Sequence, residues 1–459
     1  MQSDNYKPSQ RALASLKRGK AWDCIRKVHE YPIYDPKLRP HGIINLMGAH
    51  NDLVKEWWEE YVKNTNRDGN TVKELSYGSP VGSGALRTAA AGFFNRMFNP
   101  SSPVKPSDLL ATNGVTTAID LLAWSICEPG DTILYPTPNF YMLDFDIASR
   151  NGVVSTPVAV ERSIHGDPFA PTKEAAAELE LAFEKAIDDT SARGLRCRAI
   201  FLCNPANPQG RCYSSYALDR LAQLCTRRHM HLIADEIYAM SNFSHGREPF
   251  SSVLSVPESS SDHCQNLHCL YGLSKDFSLG GLRIGFVVTR NEQIRRVLER
   301  TAMLAWISNK SDIFATKFLQ DLDLVERYVR TSQSRLAGAY TSASQALHQA
   351  RIPFRPATAG LFIFINLGDW LQYFPQLDTV CEQGLKAPAI QDVRETVLWQ
   401  WLVDHGVALN PGQYAESDHP GWFRLVFSED VAATQVAIKR LRVALDLLKG
   451  MTSRHNIEQ

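Results

Sequence analysis

Ala199-Ile200-Phe201-Leu202-Cys203 runs directly into Asn204-Pro205-Ala206-Asn207-Pro208-Gln209-Gly210, and Leu232-Ile233-Ala234 runs into Asp235-Glu236-Ile237-Tyr238. Each begins as a short apolar run bounded by turn-forming or polar residues, the pattern of a strand rather than a helix. A third run, Leu270-Tyr271-Gly272-Leu273, leads into Ser274-Lys275-Asp276 and then Gly280-Gly281-Leu282-Arg283-Ile284-Gly285. In open α/β sheets, ligands sit beyond the carboxyl ends of the strands. Taken singly, the Asn-Pro run reads as a turn, the aspartate as a cap and the Ser-Lys pair as surface. Taken together and in this order, they direct an amide, a carboxylate, a phenol and an amine toward one sheet edge.

Working outward, Ser107–Thr112 and Thr132–Tyr135 read as further strands, and Val115–Cys127 as a helix with an apolar stripe. Strand runs alternating with helical patterns predict βαβ units and a mainly parallel sheet. Ile284–Thr289 follows Lys275 too closely for a crossover helix, so it is expected to lie antiparallel. Beyond residue 312 helices mix with two strand candidates, Leu361–Leu367 and Phe423–Phe427. The expected fold is therefore α/β, a large domain with a mainly parallel sheet flanked by helices plus a smaller α+β domain. The expected divisions are 1–56 (an arm and part of the small domain), 57–311 (the large domain) and 312–459 (the rest of the small domain). The stretches 64–85, 243–266 and 411–421 read as loops.

At 459 residues the chain exceeds what one ordinary core supports. Its apolar fraction of 44% and charged fraction of 21% are those of a globular protein. Lys plus Arg equals Asp plus Glu, 49 each, which argues against a nucleic-acid partner recruited by a basic surface. The cysteines are scattered without a CxxC pair, so neither a disulfide framework nor a metal site is expected. The amino-terminal stretch lacks the apolar core of a signal peptide, and no run approaches the length of a spanning helix. The expectation is a cytoplasmic protein with no membrane partner.

The ordered set of strand-end residues resembles fold-type I, class I/II aminotransferases that use pyridoxal 5′-phosphate (PLP), and is most similar to 1-aminocyclopropane-1-carboxylate (ACC) synthases. The resemblance runs from about Gly42 to Phe427 and is sharpened by Glu128-Pro-Gly-Asp, Tyr135-Pro-Thr-Pro138, Leu409-Asn-Pro-Gly and Pro420-Gly-Trp-Phe-Arg424. It implies that Lys275 holds the cofactor as a Schiff base and moves the proton at the substrate Cα. It implies that Asp235 partners the pyridine nitrogen, with Asn207 and Tyr238 on the ring hydroxyl. Gly114-Val115-Thr116 opens a helix whose free N–H groups suit the cofactor phosphate, and Ser274 and Arg283 complete that phosphate site. Phe140 matches the ring-stacking aromatic, and Arg424 the arginine that forks onto the substrate α-carboxylate. The plainer readings stand beside these: Phe140 as core, Thr116 as a cap, Arg424 as a surface strand residue. The family also implies a homodimer with shared active sites.

Four positions depart from the family pattern, two on the substrate side and two on the cofactor side. Where ACC synthases carry Gly-Leu-Ala-Glu-Asn, this chain has Met47-Gly48-Ala49-His50-Asn51, with His50 in place of the glutamate. His50 reads as a pocket acid/base or as a polar loop residue. The family tyrosine that reaches the neighbouring subunit aligns with Pro80, and Tyr77 is the candidate substitute. Phe140 lacks the usual hydroxyl, and Gly272 stands where a phosphate-touching serine is the rule. The implied function is an enzyme that forms an external aldimine with an α-amino acid, generates a Cα carbanion, and eliminates, replaces or cyclises at Cβ or Cγ. The alternative is transfer of the amino group to a 2-oxo acid. A cofactor-sensing transcription regulator fits less well, since the segment before Gly42 is short for a DNA-binding head.

Overall fold

The computed structural model describes residues 7–65, 72–244, 246, 248–257, 265–374 and 392–455, so parts of the expected loops 64–85 and 243–266 lie outside the described residues. Strand β1 (Ile44–Asn45) belongs to a peripheral unit. The central sheet is built from β2 (Leu109–Thr112), β3 (Thr132–Thr137), β4 (Val154–Ala159), β5 (Cys197–Cys203), β6 (His231–Asp235), β7 (Leu267–Gly272) and β8 (Gly285–Thr289). Its order is β2-β8-β7-β6-β5-β3-β4, and only β8 runs against its neighbours β2 and β7. The expected antiparallel placement of Ile284–Thr289 is what the hairpin-length connection after Lys275 produces.

Both faces of the sheet are covered. In β5, Ile200 and Leu202 face one apolar cluster while Ala199 and Phe201 face another. Alternate residues thus enter different cores, which is why the run is apolar at every position rather than at every second one. The helices Gly84–Met97, Lys173–Ala192 and Ser215–Arg227 pack on the first face, and Val115–Ile126 and Leu143–Ala148 on the second.

Some expectations are corrected at their edges. Residues 106–108 form a 3₁₀ turn, with Asp108 accepting from the Lys105 amide, so the strand expected from Ser107 begins at Leu109. Strand β4 was not anticipated. It is an edge strand interrupted by Pro157 and only half-buried, so the apolar run that marks the inner strands is missing.

A second, four-stranded antiparallel sheet follows, of β9 (Phe354–Arg355), β10 (Phe362–Asn366), β12 (Asn410–Pro411) and β13 (Trp422–Val426), in the order β12-β13-β10-β9. Strand β11 (Val407–Ala408) pairs in parallel with β1. Residues 24–49 thereby share one apolar cluster with residues from 336 to 448. The helix Leu322–Gln349 serves two cores: Val325, Tyr328 and Val329 pack on the large sheet, Leu336, Ala339, Ala343 and Leu347 on the smaller unit. Packing therefore passes from one unit to the other inside this helix, not at the expected division at 312. The two-domain division, shifted in this way, remains our proposal. Among the described residues no helix is long and apolar enough to cross a membrane.

Candidate active site

Strand register brings the expected residues to one edge. Cys203 is opposite Asp235, Asp235 opposite Leu270, and Gly272 opposite Gly285, which in turn faces Thr112. The carboxyl ends of β2, β3, β5, β6 and β7 therefore meet the start of β8 on one line, and the smaller unit closes over it.

Lys275 lies just beyond β7 and donates from Nζ to the Ala49 carbonyl at 3.1 Å. Burial, aided by the Arg424 and Arg283 charges and opposed by Asp235, lowers its pKa to about 8. A buried amine so shifted is a better nucleophile near neutral pH than an ordinary lysine. Asp235 is 7% exposed and accepts from the Ile237 amide at 3.2 Å. Burial raises its pKa to about 7, against the pull of that amide and of Lys275.

Arg424, on β13, is 3% exposed and fixed from several sides. Nη1 donates to Asn207 Oδ1 at 3.0 Å and Nη2 to the Met47 carbonyl at 2.6 Å. The rings of Tyr141 and Phe362 each lie 5.2 Å from the guanidinium carbon. Nε is buried with no hydrogen-bond partner among the described residues. The plane of the guanidinium is thus set while donor capacity remains unused, an arrangement suited to a carboxylate. Tyr238 is buried beside Arg424, Asp235 and Tyr141, and burial holds its pKa well above that of a free phenol.

At the other end, helix Val115–Ile126 begins behind Gly114, whose φ of 108° favours glycine. A Cβ on Gly114 would meet Arg283 Nη2 at 2.4 Å, and one on Gly285 would meet the Val115 nitrogen at 2.8 Å. The two glycines let Arg283 and the first amides of the helix converge. Arg283 donates to the Gly280 and Asn113 carbonyls at 3.1 and 3.4 Å. Ser274 is half-buried in the same turn, beside Gly280. Val115 touches the Gly272 position, where a Cβ would also meet the Ile284 carbonyl at 2.9 Å, so that site is closed to a serine without movement. The Thr116 hydroxyl is within hydrogen-bonding reach of Asp146, leaving its amide for an anion.

Phe140 is partly buried alongside Val115, at the edge of the same apolar cluster. Ala49 is buried and His50 lies close to Lys275. Desolvation, reinforced by the Lys275 charge, lowers the His50 pKa. Tyr77 is not brought into this constellation: it is 92% exposed and stacks on Trp306 at 5.4 Å. Sequence reasoning missed two contributors. Tyr141 sat in an aromatic doublet of which only Phe140 was chosen, and the Met47 carbonyl has no side-chain signature.

Sheet, helix cradle and strand-end residues together define a class, an α/β enzyme of PLP fold type I. The chain belongs to the aminotransferase class I and II family, whose model matches residues 44–441. It is 29% identical over 435 residues to 1-aminocyclopropane-1-carboxylate synthase 7 of Arabidopsis thaliana, covering 92% of this chain and 91% of that protein. It is 27% identical over 429 residues to 1-aminocyclopropane-1-carboxylate synthase-like protein 1 of Mus musculus, covering 93% and 81%. The aspartate aminotransferase of Thermus thermophilus with maleate superposes with a TM-score of 0.70 at 18% identity, over 96% of this chain and 100% of that one, a likeness of fold alone. Proteins of this family depend on PLP. The residues here fit that group: a depressed amine, a buried carboxyl at the end of the neighbouring strand, and an amide-and-arginine cradle for a phosphate.

Proposed function

We propose that this enzyme acts on an α-amino acid by removing the Cα proton and then eliminating, replacing or cyclising at Cβ or Cγ, as its likeness to ACC synthases suggests. The observation that carries the reading is the convergence of the half-buried amine of Lys275 with the buried side chains of Asp235 and Arg424, one carboxyl and two cationic groups, beyond the ends of the central strands. When bound, PLP supplies an aldehyde for amines and a ring that accepts electrons from Cα.

The chain's own residues then divide the work. Lys275 Nζ would hold the cofactor's aldehyde carbon and would be the base that takes the substrate Cα proton. Asp235 keeps the ring nitrogen protonated by ion pairing, and Asn207 and Tyr238 hydrogen-bond the ring hydroxyl. The amides of Val115 and Thr116, with Ser274 and Arg283, bind the phosphate, while Phe140 covers the ring. Arg424 grips the α-carboxylate, with Asn207 and the Met47 carbonyl fixing its plane. Ala49 and His50 border the substrate. Tyr77 is assigned to the site of the partner subunit in a homodimer.

Transamination is the second reading. It is favoured by His50, which stands where ACC synthases have glutamate. The two separate by experiment. Holoenzyme is titrated with a panel of amino acids that includes S-adenosylmethionine, and products are identified by mass. Sustained turnover that requires an added 2-oxo acid would overturn the lyase reading. Release of a deaminated or cyclised product without an acceptor would support it.

A further inference from the structure

Strands β6 and β7 cease to pair where the site begins. Their last paired residues are Asp235 and Leu270, and the Glu236 amide still reaches the Leu270 carbonyl at 2.8 Å. Beyond that point the chain leaving β6 carries Tyr238 and the chain leaving β7 carries Lys275. The Lys275 turn is irregular: Ser278 has a φ of 55°, and the Ser278 and Leu279 amides donate back to the Lys275 and Leu273 carbonyls. Those bonds shape the turn without fixing it against the chain from β6.

A buried side chain does so instead. Asp276 is 3% exposed. Its Oδ2 accepts from the Met240 amide at 2.8 Å and from the Tyr271 hydroxyl at 3.0 Å, and the carboxyl also receives the Ser241 amide. Met240 and Ser241 have anchors of their own. The Gln333 side chain donates to the Met240 carbonyl at 3.1 Å, and the Ser241 hydroxyl accepts from the Gly360 amide at 3.0 Å. The Asp276 carbonyl accepts from the Tyr328 hydroxyl at 3.1 Å, on the helix that serves both cores. One residue beside Lys275 is therefore tied to the chain from β6, to β7 and to helix Leu322–Gln349, where the backbone ladder has ended.

We propose that Asp276 is a positioning residue: its carboxyl holds the turn carrying Lys275 in register with the segment carrying Tyr238, and so sets where the amine meets the cofactor's aldehyde carbon. The inference rests on the reading of Lys275 as the group that holds the cofactor. Two amides and a phenol require an acceptor oxygen of Asp276, not a charge. Burial pushes its pKa up to about 8, and Oδ1 is buried with no hydrogen-bond partner among the described residues. Asparagine supplies the same acceptor and puts its nitrogen where Oδ1 already lacks a partner. Alanine supplies nothing. A reacting group displaced by about 1 Å can slow its reaction by up to ~10²-fold.

The test is the rate at which PLP attaches to apo-protein, a step in which Nζ replaces the aldehyde oxygen and water leaves. It is followed by stopped-flow absorbance at about pH 8.5, above the Lys275 pKa of about 8. The proteins are the parent, Asp276→Asn, Asp276→Ala, Tyr271→Phe and Lys275→Ala. Affinity for 4′-deoxypyridoxine 5′-phosphate, which has the ring and phosphate but no aldehyde, reports on the cradle apart from the amine. Asp276→Ala is expected to attach PLP about 10- to 100-fold more slowly, and Asp276→Asn within about threefold of the parent. Tyr271→Phe, which removes one donor and keeps both amides, should slow attachment by about threefold. The analogue's dissociation constant should stay within about threefold of the parent in these three variants. Attachment at the parent rate in Asp276→Ala would overturn the proposal. So would an Asp276→Asn as slow as Asp276→Ala, or analogue affinity that falls as far as the rate. Should Asp276→Ala fail to fold by circular dichroism, Tyr271→Phe decides: slower attachment with analogue binding intact supports the proposal, and the parent rate overturns it. If Lys275→Ala attaches PLP as the parent does, the reading of Lys275 fails instead, an outcome distinct from the failure of Asp276.

Discussion

An amine whose pKa sits at about 8 inside a protein is ready to react at a pH where an ordinary lysine is not. Attachment of PLP to the apo-protein should therefore accelerate with pH and level off above about 8, followed by stopped-flow absorbance. A rate still climbing toward the pKa of free lysine would show that burial and Arg424 do not depress the amine. Borohydride reduction of holoenzyme followed by peptide mapping should label Lys275, and label elsewhere would end the mechanism. Asp235→Asn removes one member of a buried charge pair, a loss of about 3–5 kcal/mol. If that falls on the transition state, turnover drops by roughly 10²–10⁴, read in single-turnover kinetics. Arg424→Lys keeps the charge but not the fork, so amino-acid affinity should weaken by about 10- to 100-fold in spectral titration. Asp235 and Lys275 were legible because they end or closely follow a strand, and Arg424 through the Pro420-Gly-Trp-Phe-Arg424 motif that contains it. Tyr141 and the Met47 carbonyl were not, because what they do depends on β13 arriving above them.

At the scale of elements, the sheet carries a pH-sensitive feature far from the strand ends that bear Lys275 and Asp235. His231 at the start of β6 and His268 on β7 share a hydrogen bond of 3.0 Å, and His268 reaches Thr289 on β8 at 2.9 Å. A ring nitrogen that accepts must be unprotonated, and burial, with the Arg198 charge, lowers the His231 pKa to about 4. In the unfolded chain it is near 6.5. The unfolded state thus binds the extra proton first, so stability is unaffected above about pH 6.5 and falls as pH drops toward 4. The loss is of the order of 2 kcal/mol after allowance for partial exposure. Urea midpoints at pH 7.5 and 4.5 should differ less for His231→Asn than for the parent, and equal differences would refute the assignment. The inner strands could be read from sequence since both their faces are covered. Strand β4 could not, because Pro157 and an exposed edge erase its pattern.

At the scale of the molecule, the face bearing Tyr77, Trp306, Met303 and Leu304 presents exposed apolar side chains; Tyr77, Met303 and Leu304 are 92%, 60% and 68% exposed. Surfaces of this kind mark association, and we predict a homodimer in which Tyr77 meets the partner's site. Sedimentation should give twice the chain mass, and a fully active monomer would contradict this. The sequence by itself determined the inner strands of the large sheet and the polar residues that follow them, Lys275 and Asp235 among them, because an apolar run with a polar end is a local pattern. Only the tertiary structure decided where the helix Leu322–Gln349 passes between cores, that two aromatic rings lie 5.2 Å from the Arg424 guanidinium, and that Arg424 reaches Asn207 and the Met47 carbonyl. Those are meetings of segments far apart in the chain, fixed by packing and register, and no local pattern encodes them.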